Sequence, residues 1–222
     1  QAGQVVVSAG ETLNSSRVGA LAALGASTVD VYQRPRVAIL STGNEIVEPG
    51  RPLGPGQIYD INRFTISAVV SDNGGVPVRY PPAPDALDAL IAALETALTN
   101  DIVVFSGGSS VGERDLIRDA IAARGELLFH GIAIKPGKPT GLGTIDGKPV
   151  FAMPGYPTSC LSNTHILLVP LLRRLAHLAP QAKNTMSLPL AKRIGSVRGR
   201  HQFLTVRIEN GKAVPAFKAS GD

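Results

Sequence analysis

The residues whose types and spacing could do chemistry gather in four short stretches. Ser41-Thr42-Gly43-Asn44-Glu45, Ser106 to Asp115, Lys135-Pro136-Gly137-Lys138-Pro139 and Pro154-Gly155-Tyr156-Pro157-Thr158-Ser159 each combine glycine or proline with hydroxyls or charges. In the second, three glycines and three serines (Ser106, Gly107, Gly108, Ser109, Ser110, Gly112) leave backbone N–H groups able to face an anion, and a helix after Asp115 would add its positive end. In the third, two prolines stiffen a turn that holds Lys135 and Lys138 close although they repel, which implies a bound anion. The plainer readings are an ordinary flexible connection for the glycine-serine loop and two solvated lysines for the turn.

Glu45, Asp60, Asp85 and Asp115 are the carboxylates placed near this ligand edge, a hard-oxygen set suited to magnesium bridging phosphates. Taken singly, Asp85 and Asp115 each precede a helical stretch and read better as N-caps than as metal ligands. Gly155, between Pro154 and Pro157, makes a rigid turn that delivers Thr158 or Ser159 to a helix start, where capping alone would account for the hydroxyls. The histidines His130, His165 and His201 have no ligand spacing, so zinc is not expected.

The elements that must position these stretches alternate. Strands are predicted at Val37 to Ser41, Val76 to Tyr80, Ile102 to Phe105, Leu127 to His130 with Ile132 to Ile134, and Pro149 to Met153. Helices are predicted at Asn62 to Asp72, Asp85 to Leu98, Asp115 to Ala123 and Ser159 to Leu178; Leu87, Leu90, Ile91, Leu94 and Leu98 make one apolar stripe. This order implies an α/β fold of three layers around a mostly parallel sheet. Asp146-Gly147 between two apolar runs signals a hairpin, hence one antiparallel edge. In such sheets ligands bind beyond the carboxyl ends of the strands, where the four stretches would lie. Before Arg36, Val5 to Ser8 could be a strand and Val18 to Leu24 a short helix capped by Asn14, Ser15 or Ser16, too little for a core of its own. After Pro180 the chain turns basic and alternating, as a half-solvated strand does around Phe203 to Ile208.

At 222 residues, 44% hydrophobic and 18% charged, the chain can bury one sizeable core and carry a small second module. The net charge of +5 comes from 22 basic and 17 acidic residues scattered except in Lys183 to Arg200, which favours a small anionic ligand over a nucleic acid. The lone Cys160 excludes an intramolecular disulfide and suits a reducing compartment, the cytoplasm. No run approaches the ~18 apolar residues that spanning a bilayer demands. The absent initiating methionine and the ending at Ser220-Gly221-Asp222 suggest a fragment of a longer protein.

Two motifs nearly match and fail. Gly131 to Thr140 has five residues between its glycines and Pro139 where a P-loop needs a hydroxyl. Gly141-Leu142-Gly143 does not extend to the dinucleotide fingerprint. Gly108-Ser109-Ser110-Val111-Gly112 does satisfy the nucleophile-elbow pattern, and Asp146 with His165 or His201 would complete a serine-hydrolase triad in chain order. Against it, Ser110 lies five residues past Phe105 rather than on a sharp turn directly after the strand.

Taken together, Ser41 to Gly50, Ile58-Tyr59-Asp60-Ile61-Asn62, Ser106 to Asp115, Lys135 to Pro139 and Met153 to Ser159 resemble the MoeA family of molybdopterin molybdenumtransferases, which includes the E domain of gephyrin. The resemblance implies a molybdopterin-binding α/β domain at about residues 29–180, preceded by the end of a flanking domain and followed by the start of a small β-barrel domain at 181–222. It implies insertion of molybdenum into adenylylated molybdopterin with magnesium, a homodimer, and contact with a molybdopterin adenylyltransferase. By the same resemblance Lys135, Lys138 and Asp115 serve catalysis, and Glu45, Asp60, Asp85 and Asp115 hold metal. The pterin nucleotide falls to Thr42, Gly43, Glu45, Ser106, Gly107, Gly108, Ser110, Pro154, Gly155, Ser159, Arg200 and Ser220. Asn44, Gly131 and Tyr156 depart from the aspartate, lysine and asparagine common in that family, as a chain handling another metal such as tungsten would. A molybdopterin adenylyltransferase of the same fold is the nearest alternative, and a non-catalytic scaffold a further one.

Overall fold

The computed structural model describes residues 3–107, 115–182 and 184–216. In chain order the elements are α1 (Ser15–Ala23), β1 (Arg36–Ser41), β2 (Ile46–Val47), β3 (Ile58–Tyr59), α2 (Asn62–Asp72), β4 (Val76–Arg79), α3 (Leu87–Ala97), β5 (Ile102–Ser106) and α4 (Leu116–Arg124). They continue with β6 (Glu126–His130), β7 (Ile134–Lys135), β8 (Gly141–Ile145), β9 (Lys148–Met153), α5 (Pro157–Asn163), a π-helical turn (Thr164–Leu168), α6 (Val169–Leu175), β10 (His201–Gln202), β11 (Val206–Glu209) and β12 (Lys212–Pro215).

Six strands form one sheet in the order β4-β1-β5-β9-β8-β6. The first four are mutually parallel, and β8 alone is reversed, pairing antiparallel with both β9 and β6. Because side chains alternate across a strand, β1 and β5 feed two cores. Ala38, Leu40, Val103 and Phe105 pack against Leu90 and Leu94 of α3 and Ile117 and Ile121 of α4. Val37, Ile39, Ile102 and Val104 pack against Ile66 and Val70 of α2 and Cys160, Leu168 and Leu172 of α5, the π turn and α6. Each fully buried Ile, Leu or Phe contributes roughly 1.5–3 kcal/mol relative to exposure. The three-layer fold read from the sequence is therefore present.

Departures from the expected elements have local causes. Asp146 and Gly147 both take positive φ, 51° and 74°, which closes the β8–β9 hairpin as their residue types foretold. Residues Val5 to Ser8 form an irregular, bent stretch rather than a strand, and α1, although capped by Asn14, buries no side chain. The last helix starts earlier than expected because Pro157 occupies its first turn, where a missing N–H costs nothing. It passes through a π turn before Pro170 and ends at Leu175.

Cys160 is fully buried in α5, and that burial pushes its thiol up to about 12; a nearby Thr164 hydroxyl opposes the shift and the Asp60 charge adds to it. At about pH 8 the folded protein is expected to resist an aromatic disulfide reagent and to react stoichiometrically once denatured, because the thiolate is the nucleophile. Rapid labelling of the native protein would contradict this burial.

Candidate functional site

The floor of the site is where β1 and β5 end side by side. Ser41 and Ser106 are paired in register, with their hydroxyls 3.3 Å apart. Ser41 Oγ donates to Asp60 Oδ1 at 2.9 Å, so the single proton left for the serine pair is that of Ser106, which donates to Ser41. Asp60 is buried, accepts from the Arg63 backbone N–H at 3.1 Å, and stands 3.1 Å from Arg63 Nε in ion contact, with the N–H not aligned for a hydrogen bond. Arg63 is buried too and also donates to Glu48 and to the Tyr80 carbonyl. Asp60 is thus spent in a buried ion pair that shapes the floor, and removing one member of such a pair typically costs about 3–5 kcal/mol.

Above this floor opens a cleft of about 890 Å³, lined among others by Thr42, Glu45, Asn62, Asp85, Gly107 and Gly155. That volume suits a small-molecule ligand. Thr42 Oγ1 and Asn62 Oδ1 are buried without a hydrogen-bond partner, although both residues line the cleft. Asn62 reaches across with Nδ2 to the Gly155 carbonyl at 2.8 Å, tying the start of α2 to the proline-flanked turn before α5. Gly43 takes φ +140°, and a Cβ there would stand 2.7 Å from Glu45 Oε2, so the glycine lets the Glu45 carboxylate lie against the backbone.

Asp85 does not cap a helix. The N-cap of α3 is Ala86, and Asp85 instead faces Asn44 and Glu45. Partial burial first, and the Glu45 charge second, hold its carboxyl above the ordinary 3.8, while a backbone hydrogen bond at Asn44 offsets part of the shift. The folded state therefore keeps a proton that the unfolded chain has released, and stability falls as pH rises from about 3.8 through the folded pKa. Asp85→Asn is expected to flatten that stretch of the stability-versus-pH curve; an unaltered slope would remove Asp85 from Glu45's field.

Asp115, by contrast, is the N-cap of α4, with Oδ1 accepting from Arg118 N at 3.1 Å, as the capping reading held. Its Oδ2 pairs with His130 Nε2 at 2.7 Å, and Asp115 is not among the cleft-lining residues. Among the described residues no three His, Cys, Asp or Glu side chains gather as a metal site. Of the four carboxylates proposed for metal, Glu45, Asp60 and Asp85 line the cleft, and with Asp60 held by Ser41 and Arg63, Glu45 and Asp85 are left as the pair that feel one another's charge.

The lysine turn does not follow a strand of the main sheet. It follows β7, which pairs in parallel with β10. Lys135 is half-buried and Lys138 exposed, and neither lines the cleft. Gly137, at φ +98°, lies so close to Asn163 that a Cβ would meet its amide nitrogen at 2.3 Å. Fully buried Asn163, the last residue of α5, donates to Gly137 O at 3.0 Å and to Thr140 Oγ1. Since α5 begins at Pro157 in the cleft wall, one short helix joins the lysine turn to the cleft. The β10 pairing sets Gln202 opposite Lys135, with the exposed Arg200 directly before that strand.

Pro154 and Ser159 are buried outside the cleft lining, whereas Gly155 is within it. Gly108, Ser110 and Ser220 lie outside the described residues. From sequence, Asn62 falls within the Ile58 to Asn62 stretch with no role assigned, and Asn163 lies unmarked inside the predicted helix Ser159 to Leu178. The hydrolase reading loses its acid, because Asp146 sits at the amino end of β9, a six-residue strand and so roughly 20 Å from the carboxyl ends where Ser106 lies.

The family model described as "Probable molybdopterin binding domain" matches residues 38–174. The chain belongs to the molybdopterin-binding domain family. Its α/β core is similar to the crystal structure of a molybdopterin biosynthesis moeA protein from Pyrococcus horikoshii, with 44% identity and a TM-score of 0.82 over 97% of this chain and 54% of that one. Molybdopterin molybdenumtransferase 2 of Mycobacterium tuberculosis (strain H37Rv) is 34% identical over 209 residues, 91% of this chain and 52% of the relative. Molybdopterin molybdenumtransferase of Haemophilus influenzae is 38% identical over 177 residues, 78% of this chain and 43% of the relative. The chain spans about half the length of the curated relatives it matches. Among its described residues no helix is long and apolar enough to cross a membrane.

Proposed function

We propose that this chain is the core of a molybdopterin molybdenumtransferase, in which adenylylated molybdopterin and molybdate give molybdenum cofactor, AMP and water. The observation that carries the reading is the cleft at the carboxyl ends of β1 and β5, where a hydroxyl-bearing floor and the carboxylates Glu45 and Asp85 line one space. Its support from outside is the set of relatives named for this transfer.

Thr42, Gly43, Ser106, Gly107 and Gly155 line or border the space for the phosphates and pterin, with Gly108 and Ser110 continuing the same loop in sequence. A divalent ion fits Glu45 and Asp85: partial burial and the Glu45 charge hold the Asp85 carboxyl above its ordinary range, a cation relieves that cost, and magnesium is commonly held by one or two carboxylates plus substrate phosphates. Bound there, magnesium would supply charge neutralisation on the phosphoanhydride. Lys135 and Lys138 hold the molybdate dianion, and Arg200 and Ser220 add oxyanion contacts from the C-terminal segment. Asp115, fixed by the α4 N–H and His130, acts from the start of α4. The reading includes a homodimer in the cytoplasm, contact with a molybdopterin adenylyltransferase, and a division at residues 1–28, 29–180 and 181–222.

The test is AMP release by the intact protein from adenylylated molybdopterin, which is expected to require molybdate and magnesium. Release indifferent to molybdate, or adenylylation of the pterin with ATP instead, would favour the adenylyltransferase reading.

A further inference from the structure

The cleft has two chemistries, and the phosphates and metal use only one. Its floor is polar, but Leu53, Ile58, Tyr59, Ile61 and Tyr156 on its rim are large apolar side chains left exposed. Tyr156 is the extreme, with 69% of its surface open to solvent. Its backbone is fixed: Pro154 and Pro157 flank it, its carbonyl accepts from Cys160 N at 2.9 Å at the start of α5, and the preceding Gly155 carbonyl is held by Asn62. Tyr59, also in the cleft lining, is pinned, its hydroxyl donating to the Arg51 carbonyl at 3.0 Å. Tyr59 and Asn62 are separated only by Asp60, buried against Ser41 and Arg63, and by Ile61, so both rings hang from one hydrogen-bonded corner. An exposed ring on an ordered backbone is a preorganised contact, because little conformational freedom remains to be lost on binding. Asn62, which lines the same cleft, has its Oδ1 buried, an acceptor without a donor.

We propose that Tyr156 is a specificity-determining residue that stacks on the planar nitrogen heterocycle of the ligand, with Tyr59 and Asn62 completing the ring's seat. This rests on the reading of the cleft as the site of a nucleotide-linked pterin, and it goes beyond it by assigning the ring, where that reading assigns the phosphates and the metal. The shared chemistry is a flat heterocycle with N–H donors, carried on a phosphate, and its source is either the pterin or the adenine.

The experiment is calorimetric titration of the intact protein and of Tyr156→Ala and Tyr156→Phe with three probes: AMP, 6-hydroxymethylpterin and ribose 5-phosphate. Tyr156→Ala is expected to weaken at least one ring probe by about tenfold, the scale of losing one aromatic stack. Tyr156→Phe, which keeps the ring, is expected to bind as the parent does, and ribose 5-phosphate to be indifferent to both changes. The probe that weakens tells which heterocycle sits on Tyr156. Equal affinities in Tyr156→Ala for both ring probes, failure of Tyr156→Phe to restore them, or no binding of either ring probe by the parent would overturn the proposal. Molybdate-dependent AMP release that persists in such a case would leave the transferase reading standing. Ring binding without AMP release would sink that reading and spare this one.

Discussion

Lys138→Ala is expected to lower molybdate-dependent AMP release by roughly two to three orders of magnitude, the loss typical of one preorganised electrostatic contact. The melting temperature should scarcely move. Lys138 is exposed, and its turn is closed by backbone rather than by its ammonium: the Lys138 carbonyl accepts from Ile132 N at 2.9 Å and from Thr140 N at 2.8 Å. Gly137 is held from the other side by Asn163. Alanine keeps all of these, and exposed substitutions away from special features usually stay within about 0.5 kcal/mol. The combination of intact folding and lost turnover separates a role in anion binding from the plainer reading of a solvated lysine. Lys138→Arg should retain part of the rate, since charge survives while the compact ammonium does not. Turnover by Lys138→Ala at the parental rate would remove the lysine turn from the site, and with it the place assigned to molybdate.

Much of the fold was legible because its signals are local. The apolar runs of β1 and β5 read as strands, the Leu87 to Leu98 stripe as a helix with one apolar face, and Asp146-Gly147 as a hairpin turn, and each is found there. The rim of the site was legible too, as loops after strands. What each carboxylate does there was not, since four acids in four loops look alike until their neighbours are known. Asp60 proved to be occupied by Ser41 and Arg63, which come from different elements. Asp115 proved to be a cap shared with His130, fifteen residues on. Asp85, read as a cap, proved to face Glu45 across a tertiary contact no spacing rule encodes. The same holds for Asn163: its amide matters because α5 returns it to the Gly137 turn, a contact 26 residues long-range. The sequence distinguishes chemistry-capable residues from inert ones, but partnering decides which remain available.

Gly107→Ala is expected to cost about 3 kcal/mol of stability and to abolish ligand binding in the cleft. Gly107 sits at φ +129°, where L side chains are strained by roughly 1–2 kcal/mol. A Cβ there would meet the Thr42 carbonyl oxygen at 2.3 Å and Thr42 Oγ1 at 2.6 Å, adding an overpacking cost of about 1–3 kcal/mol. Neither partner can yield cheaply. Thr42 N is bonded to Ser106 O at 2.9 Å, and Gly107 N to Met153 O at 3.3 Å, so the clash is caught between β1, β5 and β9. At roughly 2–4 °C per kcal/mol for a chain of this size, the melting temperature should drop by about 6–12 °C. Gly147→Ala supplies the comparison, because Gly147 also has positive φ, +74°, but open space around its Cβ and a place at the far end of the sheet. It should show only the backbone strain, about 1 kcal/mol, with AMP binding retained. A Gly107→Ala protein as stable as Gly147→Ala, and still binding AMP, would mean that the Thr42 loop moves aside freely. The cleft floor would then be shaped by the ligand, since rigid strand ends could not have given way.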